Sequence, residues 1–255
     1  MSQYHPEPYW SDVAKRIKSR KGENVIAGDD EPYYRYKRER FLHLLNEIDF
    51  SGKTVLEIGN GPGGNLKSLL AQNPKSLTGV DISPEMVALA KSHLPPEVNI
   101  VQINGTQLPF EDQSFDYVFT ATVLQHNTDE VMLKKIMAEL CRVAKEKVFL
   151  FERIEPAIIG DDLCYGRPVD YYASICREHG FTLKSTKWIN IRTSYYVSGA
   201  IRKGLNPKTR AEGEPLNGLS IGLQNLTLFF TRFLDRIFTS RRDVARMEFI
   251  RNTGS

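Results

Sequence analysis

Residues 54–66 read TVLEIGNGPGGNL. Residues of strand character, 54–58, run into Gly59, Gly61 and Gly64, spaced as G-x-G-x-x-G, and a stretch of helical spacing opens behind them. Glycine at these positions lets the chain turn tightly out of a strand. It also lets the backbone approach a bound group, because no Cβ stands in the way. The motif has weight only between a strand and a helix, and that setting is met here. A second feature is in register with it. The run SLTGVDI (76–82) carries Asp81 at the end of a second strand, 22 residues after Gly59. A carboxylate there can accept hydrogen bonds from both ribose hydroxyls of a nucleoside. Gly52-Lys53-Thr54 looks like the end of a P-loop, but Glu47 stands where the upstream glycine belongs, and the segment precedes its strand.

Outward from this loop, short apolar runs alternate with amphipathic stretches. The remaining strand candidates are VNIVQI (98–103), FDYVFTA (115–121), KVFLFE (147–152) and FTLKSTKWINI (181–191), with a final strand over 246–251. Helices are expected at 64–72, 84–93, 129–143 and 169–179, with Ser83 as N-cap and Pro84 in the first turn of its helix. Upstream, Phe41, Leu42, Leu44, Leu45 and Ile48 recur at helical spacing, so a helix over 38–48 enters the core. Strands separated by helices predict an α/β fold with a parallel sheet covered on both faces. Residues 195–218, rich in Gly, Pro, Asn and Lys, read as loop. After them Leu219, Leu223, Leu226, Phe230, Phe233 and Ile237 form an apolar helical stripe, interrupted by enough polar residues to exclude a membrane span.

The chain of 255 residues is 41% hydrophobic and 25% charged, with 18 Gly and 13 Pro, which excludes disordered, collagenous and disulfide-scaffold classes. Its formal charge of +3 gives no field suited to wrapping nucleic acid. Cys141, Cys164 and Cys176 are odd in number and lack metal-ligand spacing, so they read as free thiols, and no metal site is expected. The segment MSQYHPEPYW has no apolar run, so no signal peptide is expected and the location is read as cytoplasmic.

The glycine loop taken alone satisfies the NAD(P) fingerprint. A fuller set of motifs resembles the class I S-adenosylmethionine-dependent methyltransferases. VLEIGNGPGG resembles their first motif, with Glu57 two residues before the first glycine, and GVDISPEMVALAK resembles their second, with Asp81 in the ribose position. INGTQLPFEDQSFDYVFTATVLQH is similar to their third and fourth motifs. The likeness covers about residues 53–155. It implies a Rossmann-like, seven-stranded, mostly parallel sheet with helices on both faces, an N-terminal helical segment and a late helical insertion. The expected parts are a helical cap (1–50), a donor-binding core (51–194), an insertion or lid (195–242) and a last strand with tail (243–255), one domain overall.

The resemblance also implies roles. Gly59, Asn60 and Gly61 would border the methionine part of the donor, and Glu57 would organise the loop or reach the donor's amino group. Asp81 would hold the ribose, and Ile82 and Leu108 would flank the adenine. Asn104 stands where the family commonly has Asp; its side-chain carbonyl could accept the same adenine hydrogen bond, or the Gly105 and Thr106 backbone could make that contact. Transfer from a sulfonium needs mainly alignment and exclusion of water, and a hydroxyl acceptor also needs a base. His126, after the fourth strand, is the candidate base, with a loop-holding histidine as the plainer reading. Tyr33, Tyr36 and Arg38 in the N-terminal segment and Glu152 at the end of the fifth strand are candidate acceptor contacts.

The expected acceptor is a small molecule, first a sugar or glycan hydroxyl and alternatively a quinone or lipid, with S-adenosylhomocysteine as the second product. A methyltransferase-like module that binds the donor without turning it over is the non-enzymatic alternative. The stripe in 219–238 is read as core or lid packing, with a homodimer contact or a peripheral contact to a membrane or lipid carrier as alternatives.

Overall fold

The computed structural model describes residues 5–19, 31–207 and 216–252. Two helices, α1 (Pro6–Ser19) and α2 (Pro32–Asn46), precede β1 (Thr54–Ile58), α3 (Gly64–Leu69), β2 (Ser76–Asp81), α4 (Pro84–His93), β3 (Asn99–Gln102) and β4 (Phe115–Ala121). Then come α5 (Glu130–Val143), β5 (Ala144–Ile154), a small hairpin of β6 (Ile159–Asp161) and β7 (Cys164–Gly166), α6 (Val169–Glu178) and β8 (Phe181–Trp188). The chain closes with α7 (Arg192–Leu205), α8 (Gly218–Ile237) and β9 (Asp243–Arg251).

Seven strands form one sheet in the order β3-β2-β1-β4-β5-β9-β8. The first five run parallel, and β9 lies antiparallel between β5 and β8. The fold is the expected Rossmann-like one. Its central strands are apolar on both faces because helices cover both, as Val55, Leu56, Val118, Phe119, Val148 and Phe149 show by their burial. Strand order runs outward in opposite directions from β1 and β4, so a crevice opens beyond their carboxyl ends, the place where open α/β sheets bind ligands. Ser83 caps α4 by accepting a hydrogen bond from the Met86 amide at 3.1 Å, with Pro84 at the first helical position.

Several elements differ from the sequence expectations. The helix expected over 38–48 begins at Pro32. The last strand begins at Asp243 rather than 246, and β8 stops at Trp188 because Asn190 turns the chain with φ +49°. The first part of the expected loop 195–218 is the helix α7, while residues 208–215 lie outside the described ones. Its buried face carries Ser194 and Ser198 rather than an apolar stripe. Its N-terminus is capped from a distance: the Asp235 carboxylate accepts from the Thr193 and Ser194 amides at 2.7 and 3.2 Å. The orientation of α8 reverses the packing expected of its stripe. Ser220, Gln224, Leu228, Thr231 and Asp235 face the body, and Leu219, Leu226, Phe230, Phe233 and Ile237 point outward.

Candidate functional site

A cavity of about 490 Å³ lies beyond the carboxyl ends of β1, β2 and β4, closed on its other side by α1 and α2. The glycine loop forms its floor. Gly59 has φ +71° and Gly61 φ +51°, a left-handed backbone that side chains disfavour. At Gly59 the space is closed as well: a Cβ would stand 2.4 Å from Cγ2 of Val123. The Gly59 and Asn60 amides both donate to the Val80 carbonyl, which holds the loop against the end of β2.

Asp81 lines the cavity at that end. Its Oδ2 accepts from the Gly61 amide and its Oδ1 from the Ser83 amide, each at 2.9 Å. Two backbone donors thus fix the plane of the carboxylate, and each oxygen keeps a lone pair for a further donor. Burial pushes the Asp81 carboxyl above its ordinary range, and the two amides counter that shift only in part.

Glu57 is fully buried beneath the loop. Asn65, in the first turn of α3, donates through Nδ2 to Oε1 of Glu57 at 2.6 Å, and Arg38 of α2 donates to Oδ1 of Asn65. The other oxygen, Oε2, is buried without a hydrogen-bond partner. Burial raises the Glu57 carboxyl to about 8, against the opposing pull of Asn65 and the Arg38 charge. Glu152 is equally buried and lies below the cavity wall rather than on it. Its oxygens accept from the Thr120 hydroxyl and from the Val123 and Gln125 amides at 2.8–3.2 Å, so it braces the loop after β4. Burial lifts its carboxyl to about 7.

At the far end of the floor Ile82, Gly105, Thr106 and Leu108 line the cavity, together with Ile103. The Leu108 amide is held by Glu139 Oε2 at 2.8 Å. Asn104 is exposed and is not part of the described wall.

The opposite side mixes apolar and basic groups. Trp10 and Val13 of α1, Tyr34, Lys37, Arg38 and Phe41 of α2, and Ile189 and Val244 from the sheet's far half all face the cavity. Tyr33 and Tyr36 do not, because they sit on the other side of α2: Tyr33 packs near Tyr195 of α7 and Tyr36 lies under Arg232 of α8. Burial depresses Lys37, but the Asp243 carboxylate at 3.0 Å outweighs this and holds the ammonium above its usual range.

His126 lines the cavity edge-on to Trp10. Its Nδ1 lies 2.9 Å from the Leu163 carbonyl, an acceptor only, so Nδ1 carries the proton. Gln125 uses its Oε1 to accept from the Arg153 amide, which turns its amide NH2 toward His126 Nε2 at 3.1 Å. This arrangement suits the tautomer with its lone pair on Nε2. Next to it Thr122, a β-branched residue, has φ +58° and also lines the cavity. Strain of this kind costs on the order of 1–3 kcal/mol and concentrates at working sites.

Comparison with known proteins agrees with this geometry. The family profile described as methyltransferase domain matches residues 55–147. That stretch is similar to a methyltransferase domain. Residues 55–147 contain the glycine loop, Asp81, His126 and all of α5. The phthiotriol/phenolphthiotriol dimycocerosates methyltransferase of Mycobacterium leprae is 38% identical over 95 residues, covering 36% of this chain and 35% of that protein. The 2-methyl-6-phytyl-1,4-hydroquinone methyltransferase of Synechocystis is 35% identical over 96 residues, 37% of this chain and 29% of that one. The chain thus spans well under half the length of these curated relatives. Among solved structures, magnesium protoporphyrin IX methyltransferase from Synechocystis PCC 6803 with bound SAM superposes over 96% of this chain and 95% of its own, with a TM-score of 0.58 and 14% identity.

The side of the cavity opposite the glycine loop carries the least signal in the sequence. Trp10, Val13 and Ala14 already stand at i, i+3 and i+4, a helical signal for α1. On α2 the pattern of aromatic residues does not say which tyrosine faces inward, and the cavity takes Tyr34. Ile189 and Val244 carry no motif and reach the cavity only through the sheet order.

Proposed function

We propose that the protein is an S-adenosylmethionine-dependent methyltransferase whose acceptor is an apolar, lipid- or quinol-like molecule. The observation that carries the donor assignment is Asp81: an oriented carboxylate facing the cavity at the end of β2, next to a glycine loop that leaves its backbone bare. The residues fit the donor along its length. Asp81 accepts from the ribose hydroxyls, Ile82, Ile103 and Leu108 enclose the adenine, and Gly59 and Gly61 border the methionine part. Glu57, buried beneath the loop with one carboxyl oxygen unpaired, steadies the loop through Asn65. The donor, when bound, supplies a methyl group on a positively charged sulfur, so the chain's work is to align the acceptor behind that carbon and keep water out.

The acceptor reading rests on the wall that faces the loop. Trp10, Val13, Phe41, Ile189 and Val244 present apolar surface, and Lys37 and Arg38 give an edge that suits a phenolate or another anionic head. The relatives named for dimycocerosates and for a phytyl hydroquinone favour the same class. For a hydroxyl acceptor His126 takes the proton on Nε2, once Gln125 releases that nitrogen. Arg38 acts by position, linking the cap helix through Asn65 to Glu57.

The test is release of S-adenosylhomocysteine from the purified protein with a prenylated hydroquinone and, separately, with free and nucleotide-linked hexoses. Turnover confined to the hydroquinone supports this reading. Turnover confined to the hexoses overturns the acceptor class and leaves the donor assignment standing. Donor binding without turnover on any acceptor supports the non-catalytic alternative.

A further inference from the structure

The outward face of α8 is apolar over its whole length. Phe229 is 77% exposed, and Leu219, Leu226, Phe230 and Phe233 are each more than 60% exposed. The inward face is polar yet satisfied: Asp235 accepts from the Ser194 hydroxyl and two amides of α7, the Ser194 and Thr231 hydroxyls pair at 2.8 Å, and Gln224 donates to Ser220. The helix is therefore seated by hydrogen bonds, and its apolar surface is left over rather than misplaced. Scattered exposed apolar residues are ordinary, but one continuous helical stripe marks an interaction surface.

Charge around the stripe specifies the occupant. From Arg192 to Arg242 the described residues hold seven Arg and Lys side chains against a single acid, Asp235, which is buried. The chain as a whole carries only +3, so positive charge is gathered on the α7–α8 hairpin and the remainder is net negative. Arg236 and Arg241 are exposed, and Arg232 flanks the stripe while held by Glu39 and by the face of Tyr36. A second copy meeting this face about a two-fold axis would bring like-charged rims together with no exposed acid of α7 or α8 to receive them. Among the described residues no helix is long and apolar enough to cross a membrane.

We infer that the α8 face docks on the surface of an anionic lipid bilayer, with its phenylalanines and leucines in the acyl boundary and its arginines at the headgroups. The inference extends the apolar-acceptor reading and rests on it. One helix separates the hairpin from the cavity: α8 packs on α2, whose other side lines the site, and Arg202 of α7 donates to the hydroxyl of cavity-facing Tyr34 at 3.2 Å.

The experiment is co-sedimentation of the full chain with vesicles of phosphatidylcholine alone and of about three parts phosphatidylcholine to one part phosphatidylglycerol. The partner variant is Phe229→Ser/Phe230→Ser/Phe233→Ser, whose exposed sites leave the fold and donor binding intact. Association is expected with the anionic vesicles, weakened roughly tenfold or more by the triple substitution and by high salt. Three results would overturn the inference: no association with either vesicle, equal association with both, or a dimer in solution that the triple substitution dissolves. Transfer to a detergent-solubilised hydroquinone, measured alongside, separates the two proposals. It persists if only docking is wrong, and it is absent while docking persists if only the acceptor reading is wrong.

Discussion

The Trp10 ring stands edge-on to His126, with centroids 5.0 Å apart and planes at 84°, so the first helix closes directly onto the loop that follows β4. The two residues are far apart in sequence and meet only because α1 lies across α4, where the Ser11 and Ser83 hydroxyls are 3.0 Å apart and Ala14 packs on Met86. The cover over the cavity is thus anchored to the same residue that caps the helix after Asp81.

Trp10→Ala opens that cover without touching the glycine loop. An aromatic pair of this geometry contributes about 0.5–1.5 kcal/mol beyond its buried area. The expected outcome is an acceptor KM raised roughly tenfold, with the affinity for S-adenosylmethionine changed much less. Steady-state kinetics together with donor titration check it, and an equal loss of both affinities would place Trp10 against the donor instead.

His126→Ala distinguishes a base from a brace. With a hydroxyl acceptor, kcat is expected to fall about 100-fold or more, with activity partly recovered at high pH as the acceptor ionises on its own. A variant that keeps its rate across the pH range would leave His126 only the task of holding Leu163 and the β6–β7 hairpin.

Gly59→Ala places a methyl group on Val123 and forces a left-handed backbone on alanine. It is expected to lower stability by about 1–3 kcal/mol and to abolish donor binding, because the loop must withdraw from β4 to make room. Thermal unfolding and calorimetry on the same sample report both effects.

Glu57 and Glu152 set a pH dependence. Their carboxyls rise from an ordinary 4.5 to about 8 and about 7. Between those values the folded protein holds protons that the unfolded chain has released, so stability falls as pH rises from about 5 to 8. Glu57→Gln keeps the shape and an acceptor for Asn65 while removing the titration. Denaturant unfolding should show a shallower decline for this variant, with a difference from the parent on the order of 1–3 kcal/mol across the window. Parallel slopes would show that Glu57 stays ionised in the fold.

The sheet and the glycine-loop half of the cavity were legible in the sequence because both are local. A strand that runs into a glycine loop and a strand that ends in Asp81 carry their meaning within a few residues. What escaped depends on pairing between distant elements. The segment 192–205 has no apolar stripe on its buried face to announce a helix, since it buries Ser194 and Ser198 against a helix that returns some 40 residues later. The stripe on α8 was visible, but periodicity gives a face without saying what lies against it. The polar side proved to be the buried one because Asp235, Thr231 and Gln224 all find partners there. Asn104 likewise follows its motif, and only the turn at Gly105, with φ +120°, decides that its side chain leaves the cavity.

The central claim is that Asp81 holds the ribose of S-adenosylmethionine, and calorimetric titration of the parent and of Asp81→Ala with that donor, its demethylated product and NAD tests it most directly. Both sulfur nucleosides are expected to bind the parent and NAD is not, and the substitution is expected to weaken binding at least about tenfold through the loss of charge-assisted hydrogen bonds. Unchanged affinity in Asp81→Ala, or binding of NAD alone, would contradict it.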